Sequence, residues 1–192
     1  MNEAELKRDK VQFGFWSYIM TDCMLFASLF ATYMLLRNST NGGPGGDELF
    51  SMGFVLVETI ILLTSSYLCG IASLALHHGK RKEFLAAFTV TIVLGISFLA
   101  LELHEFSQLI AEGHGPDASA FLSAFFTLVG THGAHITVGI LWALVLGWAL
   151  YRQGVNDDLK RKFSLFSIYW HFLDVVWIFI FTIVYALGGS IV

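Results

Sequence analysis

Five apolar stretches, each long enough to cross a lipid bilayer, dictate what this chain can become. They run over about Phe15 to Leu36, Phe54 to Leu76, Phe84 to Leu109, Phe121 to Leu150 and Phe163 to Leu187, and a helical span needs about 20 predominantly apolar residues. Hydrocarbon offers backbone amides no partner, so each stretch must satisfy its own hydrogen bonds as a helix. The repeated ten-residue alternation of a membrane barrel is absent from the sequence. The connections, residues 38–53, 77–83, 110–120 and 151–162, are too short to hold a separate domain. The expected fold is therefore all-α, one five-span membrane domain over residues 1–192. Five spans do not divide into the two equal inverted halves of many transporters.

Composition narrows the function classes. Of the residues, 56% are apolar and 14% charged, against about 25% charged in a soluble domain. A formal charge of −4 with 11 Lys and Arg lacks the basic face that nucleic-acid binding requires. Cys23 and Cys69 both lie in apolar stretches and are expected to be buried small hydrophobes, not a disulfide or thiolate ligands.

Basic residues orient the spans. Lys7, Arg8 and Lys10, then Lys80, Arg81 and Lys82, then Arg152, Lys160, Arg161 and Lys162 all fall on one side, and Arg37 alone on the other. The amino terminus is expected in the cytoplasm and the carboxyl terminus outside. A reporter fused after Val192 should be active only outside; activity only in the cytoplasm would reject this topology. The first span lacks a small-residue cleavage site and is expected to be retained, unlike a signal peptide.

Ionisable side chains inside the spans are the informative ones, because a charge at the bilayer centre costs about 2.5 to 3.5 kcal/mol even on lenient scales. They are Asp22, Glu58, Glu102, His104, Glu105, His132, His135, His171 and Asp174, at least one in every span. The pairs Glu102/Glu105, His132/His135 and His171/Asp174, three residues apart, each share a helix face. Counted from the cytoplasmic end of each span, Asp22 and His171 fall at about 10 Å and Asp174 at about 15 Å, with Glu58, Glu102, Glu105 and His132 beyond about 25 Å. The expectation is an inner tier of Asp22, His171 and Asp174 and an outer tier of Glu58, Glu102 and His132, with His135 between.

Three classes of role compete for these residues. A di-iron site in a bundle uses Glu-x-x-His motifs, and none occurs here, since His104 follows Glu102 by two. A proton or ion path would use such carboxyls and imidazoles but needs continuity across both tiers. A structural role, hydrogen bonds between helices worth about 0.6 kcal/mol on average and up to about 1.7, is the plainest. Gly139, Ala143 and Gly147 in span four, with Gly130 and Ala134, admit close approach of another helix, of this chain or a subunit. Trp16, Tyr18, Tyr33 and Tyr151 sit near span ends, where aromatic belts form.

The segments FGFWSYIMTDCMLFASLFATY from Phe13, HEFSQLIAEGHGPDASAFLSAFFTLVGTHGAHITVGILW from His104 and YWHFLDVVWIFIFTIVY from Tyr169 closely resemble subunit III of the haem-copper terminal oxidases. The likeness covers nearly the whole chain. Mitochondrial-type members have seven spans, and the resemblance implies that the five here correspond to the last five, the first two being expected to be missing; the length, Thr-Asp-Cys and Gly-Gly-Pro-Gly-Gly are similar to the bacterial cytochrome bo type ubiquinol oxidase branch. The resemblance implies a chain without haem, copper or other metal, packed against a catalytic subunit I that carries the haems and copper, in the inner membrane of a bacterium. It also implies other oxidase subunits and bound phospholipid as partners, and a part in sustaining proton uptake by subunit I. The family's carbodiimide-reactive acid, Glu in the mitochondrial type, falls at Asp22, one methylene shorter. The role expected is a non-catalytic accessory subunit of a proton-pumping quinol oxidase; the alternative is an independent membrane metalloenzyme or proton conductor built on the His/Glu stripe.

Two structural expectations follow. A lipid-accessible cleft should separate spans one and two from spans three to five. Asp22 either pairs with His171, clasping the first span to the last, or stands apart as a neutral acid.

Overall fold

Helical hydrogen bonding runs beyond every apolar stretch into the flanking polar residues. The computed structural model describes residues 3–49 and 51–187; Val192, on which the expected exit of the carboxyl terminus turns, lies outside the described residues. The helices are α1 (Glu3–Leu36), the single turn α2 (Gly46–Leu49), α3 (Met52–His77), α4 (Arg81–Ala111), α5 (Ala120–Gln153) and α6 (Asp157–Ile180), which continues as a π-helix over Phe181–Ala186. Five of them are long and apolar enough to span a membrane. Helix continuity puts the two basic connections and the start of α1 at one end, and residues 37–51 and 112–119 at the other.

Local chemistry ends these helices. Gly79 and Gly113 adopt φ of 72° and 84°, a left-handed conformation that glycine enters without Cβ strain. Each lets the next amide bond back, Lys80 to the Ala75 carbonyl at 2.9 Å and His114 to that of Leu109 at 2.8 Å, closing α3 and α4. At helix starts, the side chains of Ser119 and Asn156 accept from the amides of Leu122 at 3.1 Å and Leu159 at 2.7 Å, supplying orphan donors.

α3 packs along α4 and α6, and α1 lies along α5 with a lesser contact to α6. The expected division of spans one and two from spans three to five is therefore not the one formed: α3, the second span, joins the third and fifth. The long residue 38–53 connection sets no helix pairing, and polar side chains of α3 direct it to α4 and α6. Ser65 donates to the Thr91 carbonyl at 3.1 Å. Trp170 and Trp177, seven residues apart on one face of α6, donate to Ser65 Oγ at 3.2 Å and Thr59 Oγ1 at 3.1 Å.

The Trp170 ring also resolves the small-residue stripe. A Cβ on Gly95 of α4 would stand 2.8 Å from its Cη2, and one on Gly139 of α5 2.9 Å from its Cζ3. The indole thus fills a slot between two helices at the positions where neither carries a side chain. Of the two readings of the Gly139/Ala143/Gly147 stripe, internal packing is the one realised at Gly139 and at the buried Ala143. Near the basic end, Phe84 and Phe88 of α4 meet Phe163 of α6 edge-on at 5.0 and 5.3 Å between ring centres.

Two single-residue expectations fail. Tyr33 is buried and packs on Phe121 at 6.1 Å, so it belongs to the α1–α5 contact and not to an interfacial belt. Cys23 is exposed while Cys69 is buried, because α1 inserts only the stripe Ile19, Asp22, Phe26 and Tyr33, which Cys23 leaves by one residue.

Candidate functional site

The intramembrane ionisable residues sort into three separate groups. The first lies between α1 and α5. Asp22, in the buried stripe of α1, places Oδ2 3.5 Å from Nε2 of His135. The His135 ring is oriented by its other nitrogen, whose contact to the Thr131 carbonyl at 2.7 Å requires Nδ1 to carry hydrogen, because a carbonyl only accepts. Nε2 is thereby turned toward Asp22 at ion-pair distance, too long or misaligned for a hydrogen bond to Oδ2. Tyr169 of α6 donates to the His135 carbonyl at 2.9 Å and its ring neighbours Tyr18 at 6.3 Å, so a third helix braces the site.

Asp22 thus meets His135 and not His171, and the inner tier does not form. Depth was measured from the basic ends, and these are not level: α1 extends to Glu3 and α5 to Gln153. From the opposite ends, Leu36 and Ala120, Asp22 and His135 lie about 21 and 22 Å deep. The Tyr33–Phe121 contact sets that register.

The second group lines a shallow groove between α3 and α6. His171 Nδ1 is 2.7 Å from Ser66 Oγ, and Asp174 borders the same groove with Tyr67 and Gly70. His171 and Asp174 share a helix face as their spacing predicts. The partner of His171 is the Ser66 hydroxyl of α3, while Asp174 Oδ1 has no hydrogen-bond partner.

The third group gathers near the end opposite the basic connections. Glu58 of α3 and Glu102 and Glu105 of α4 are buried, at 0%, 2% and 9% exposure, and close enough to act on one another electrostatically. Glu102 occupies space that Gly133 of α5 leaves open, since a Cβ there would stand 2.7 Å from Oε1. Glu105 accepts a hydrogen bond from the Tyr185 hydroxyl at 3.3 Å. The π-helical turn Phe181–Ala186 carries this tyrosine, which no sequence pattern had singled out. His132 does not complete an outer tier with Glu58 and Glu102. It is fully buried, stacked on Trp177 at 5.4 Å and edged by Phe98 and Phe26, and neither ring nitrogen has a hydrogen-bond partner. His104 faces outward as exposed surface.

The donor set can be tested for metal ligation directly. Among the described residues no three His, Cys, Asp or Glu side chains converge as metal ligands. The Phe26 ring lies against both His132, at 6.4 Å, and His135, at 5.2 Å.

Comparison with known proteins gives one consistent result. The family described as "Cytochrome c oxidase subunit III" matches residues 3–189. The cytochrome bo(3) ubiquinol oxidase subunit 3 of Pseudomonas aeruginosa is 51% identical over 177 residues, 92% of this chain and 85% of that protein. The cytochrome c oxidase subunit 3 of Bacillus sp. is 48% identical over 178 residues, 91% and 84% of the two chains. The quinol oxidase subunit 3 of Bacillus spizizenii is 43% identical over 175 residues, 91% and 86%.

Proposed function

The chain belongs to the cytochrome c oxidase subunit III family, and from that premise we propose that it is the non-catalytic subunit III of a proton-pumping quinol oxidase. It packs against the catalytic subunit I, which carries the haems and copper, and supports that subunit's stability and proton uptake in a bacterial inner membrane. The single observation that carries the reading is the family match along nearly all of the chain. Phospholipid is expected against the exposed apolar side chains of α1 and α3, such as Met24, Leu35, Leu56 and Tyr67.

Quinol is proposed as the donor because most of the relatives compared are named as quinol oxidase subunits and one as a cytochrome c oxidase subunit. The test is copurification. The chain, tagged and expressed in its own membrane, should come away in mild detergent with a haem-bearing partner whose oxygen consumption is driven by quinol. A chain recovered alone and holding stoichiometric iron, copper or zinc would favour the membrane metalloenzyme instead. Oxygen consumption driven by reduced cytochrome c and not by quinol would overturn the donor.

A further inference from the structure

A cavity of about 290 Å³ opens between α3 and α4 at the end away from the basic connections, with Ser51 and Phe54 on one wall and Glu105, Gln108 and Glu112 on the other. At roughly 30 Å³ per molecule it has room for several waters, and its polar walls offer them partners. Glu102, Glu105, Gln108 and Glu112 follow one another along α4 and its cap at steps of three, three and four residues, one face of a helix. Of the three carboxyls Glu105 lines the cavity, and the same helix face leads inward from it to Glu102, close enough to Glu58 and Glu105 to feel their charge. Measured from this end of each helix, Glu58 and Glu105 are level at about 9 Å and Glu102 is at about 14 Å.

Both oxygens of Glu58 and both of Glu102 lack a hydrogen-bond partner. Among the described residues, no Lys or Arg acts on the three carboxyls. The titratable groups around them are Glu112 at the cap of α4, His132 of α5 and Tyr185 of the π-helix. A buried carboxyl oxygen without a countercharge or a hydrogen bond is costly, and water reaching inward from the cavity that Glu105 lines would supply the missing partners.

We propose that Glu58, Glu102 and Glu105 form a proton-exchange site served by water in this cavity and open to the aqueous phase at this end alone. Each exchange moves one proton between a carboxyl oxygen and a cavity water: one O–H bond breaks, another forms, and nothing is oxidised or reduced. Tyr185 holds Glu105 at the mouth of the inner pair. Farther in, His132 stands at about 18 Å, unpartnered and enclosed by Phe26, Phe98 and Trp177, so exchange stops short of Asp22 and His135.

Infrared spectroscopy of the purified oxidase complex tests the site. Transfer to heavy water should shift the stretching band of protonated carboxyl groups within minutes, and Glu102→Gln should remove part of that band. Should Glu102→Gln fail to assemble, the double substitution Ser51→Leu and Gln108→Leu at the cavity mouth carries the test. It should slow the exchange at least tenfold while leaving the band intact. An unchanged exchange rate in that variant, or a band that shifts only on unfolding, would overturn the proposal. So would loss of the band on adding calcium or magnesium, which would mark a cation site. These measurements in detergent read the site whatever the topology. In sealed vesicles of both orientations, an impermeant carbodiimide should label Glu105 only from the face without the basic connections, and labelling from the basic face would overturn the one-sided opening.

Discussion

Trp170→Ala should destabilise the bundle by about 3 to 5 kcal/mol, the range for deleting a large buried aromatic side chain. The indole joins four helices: it grows from α6, donates to Ser65 of α3, and lies between Gly95 of α4 and Gly139 of α5. Removing it leaves a cavity in the slot and takes from Ser65 Oγ the one donor it accepts from, its own bond to the Thr91 carbonyl remaining. The converse change is equally diagnostic. Gly139→Ala would set a Cβ 2.9 Å from a ring that has nowhere to move, an overpacking that costs about 1 to 3 kcal/mol. At Gly147, eight residues along the same stripe, the nearest atom to an added Cβ is Phe88 Cε1 at 3.9 Å, an ordinary contact. Gly147→Ala should therefore be close to neutral. Thermal unfolding of the purified complex distinguishes the two, and equal losses at Gly139 and Gly147 would refute the slot.

Carbodiimide labelling of Asp22 should respond to His135 and be indifferent to His171. The reagent adds to a protonated carboxyl, and a neighbouring imidazole favours the ionised form of an acid. His135→Phe removes the partner 3.5 Å away. The rate of Asp22 labelling should then rise severalfold. His171→Phe, whose native partner is Ser66, should leave the rate unchanged. The same pair fastens α1 to α5, so Asp22→Leu should loosen the first helix in mild detergent and leave oxygen reduction by the partner subunit largely intact. If His171→Phe accelerates labelling and His135→Phe does not, the pairing described here is wrong.

The site was partly legible before the fold was known. The i,i+3 spacing of His171 and Asp174 put both in one groove, and that of Glu102 and Glu105 put both in one carboxyl group, because a helix face is a local property. The inner tier failed because depth along a helix means little until neighbouring helices are placed in register. Tyr185 went unnoticed because its reach to Glu105 depends on a π-helical turn, and Ser65 and Ser66 because a hydroxyl inside a span signals nothing until a donor faces it.

What the sequence by itself determined is set by solvent and by short range. The number of spans follows from apolar length in a medium that cannot hydrogen-bond a backbone. The ends of α3 and α4 follow from Gly79 and Gly113, and the internal positions of the intramembrane acids and histidines other than His104 from the penalty that lipid places on charge. The family, too, was legible, in long runs of residues such as those around His132 and Trp170. Which helix meets which was decided only in three dimensions. Lipid is as apolar as leucine and drives no particular helix pair together, so partner choice rests on shape and on single hydrogen bonds. Trp170 in its glycine slot, Trp177 on Thr59, Tyr33 on Phe121 and Asp22 beside His135 make that choice, and each needs two residues far apart in the chain to arrive at the same depth.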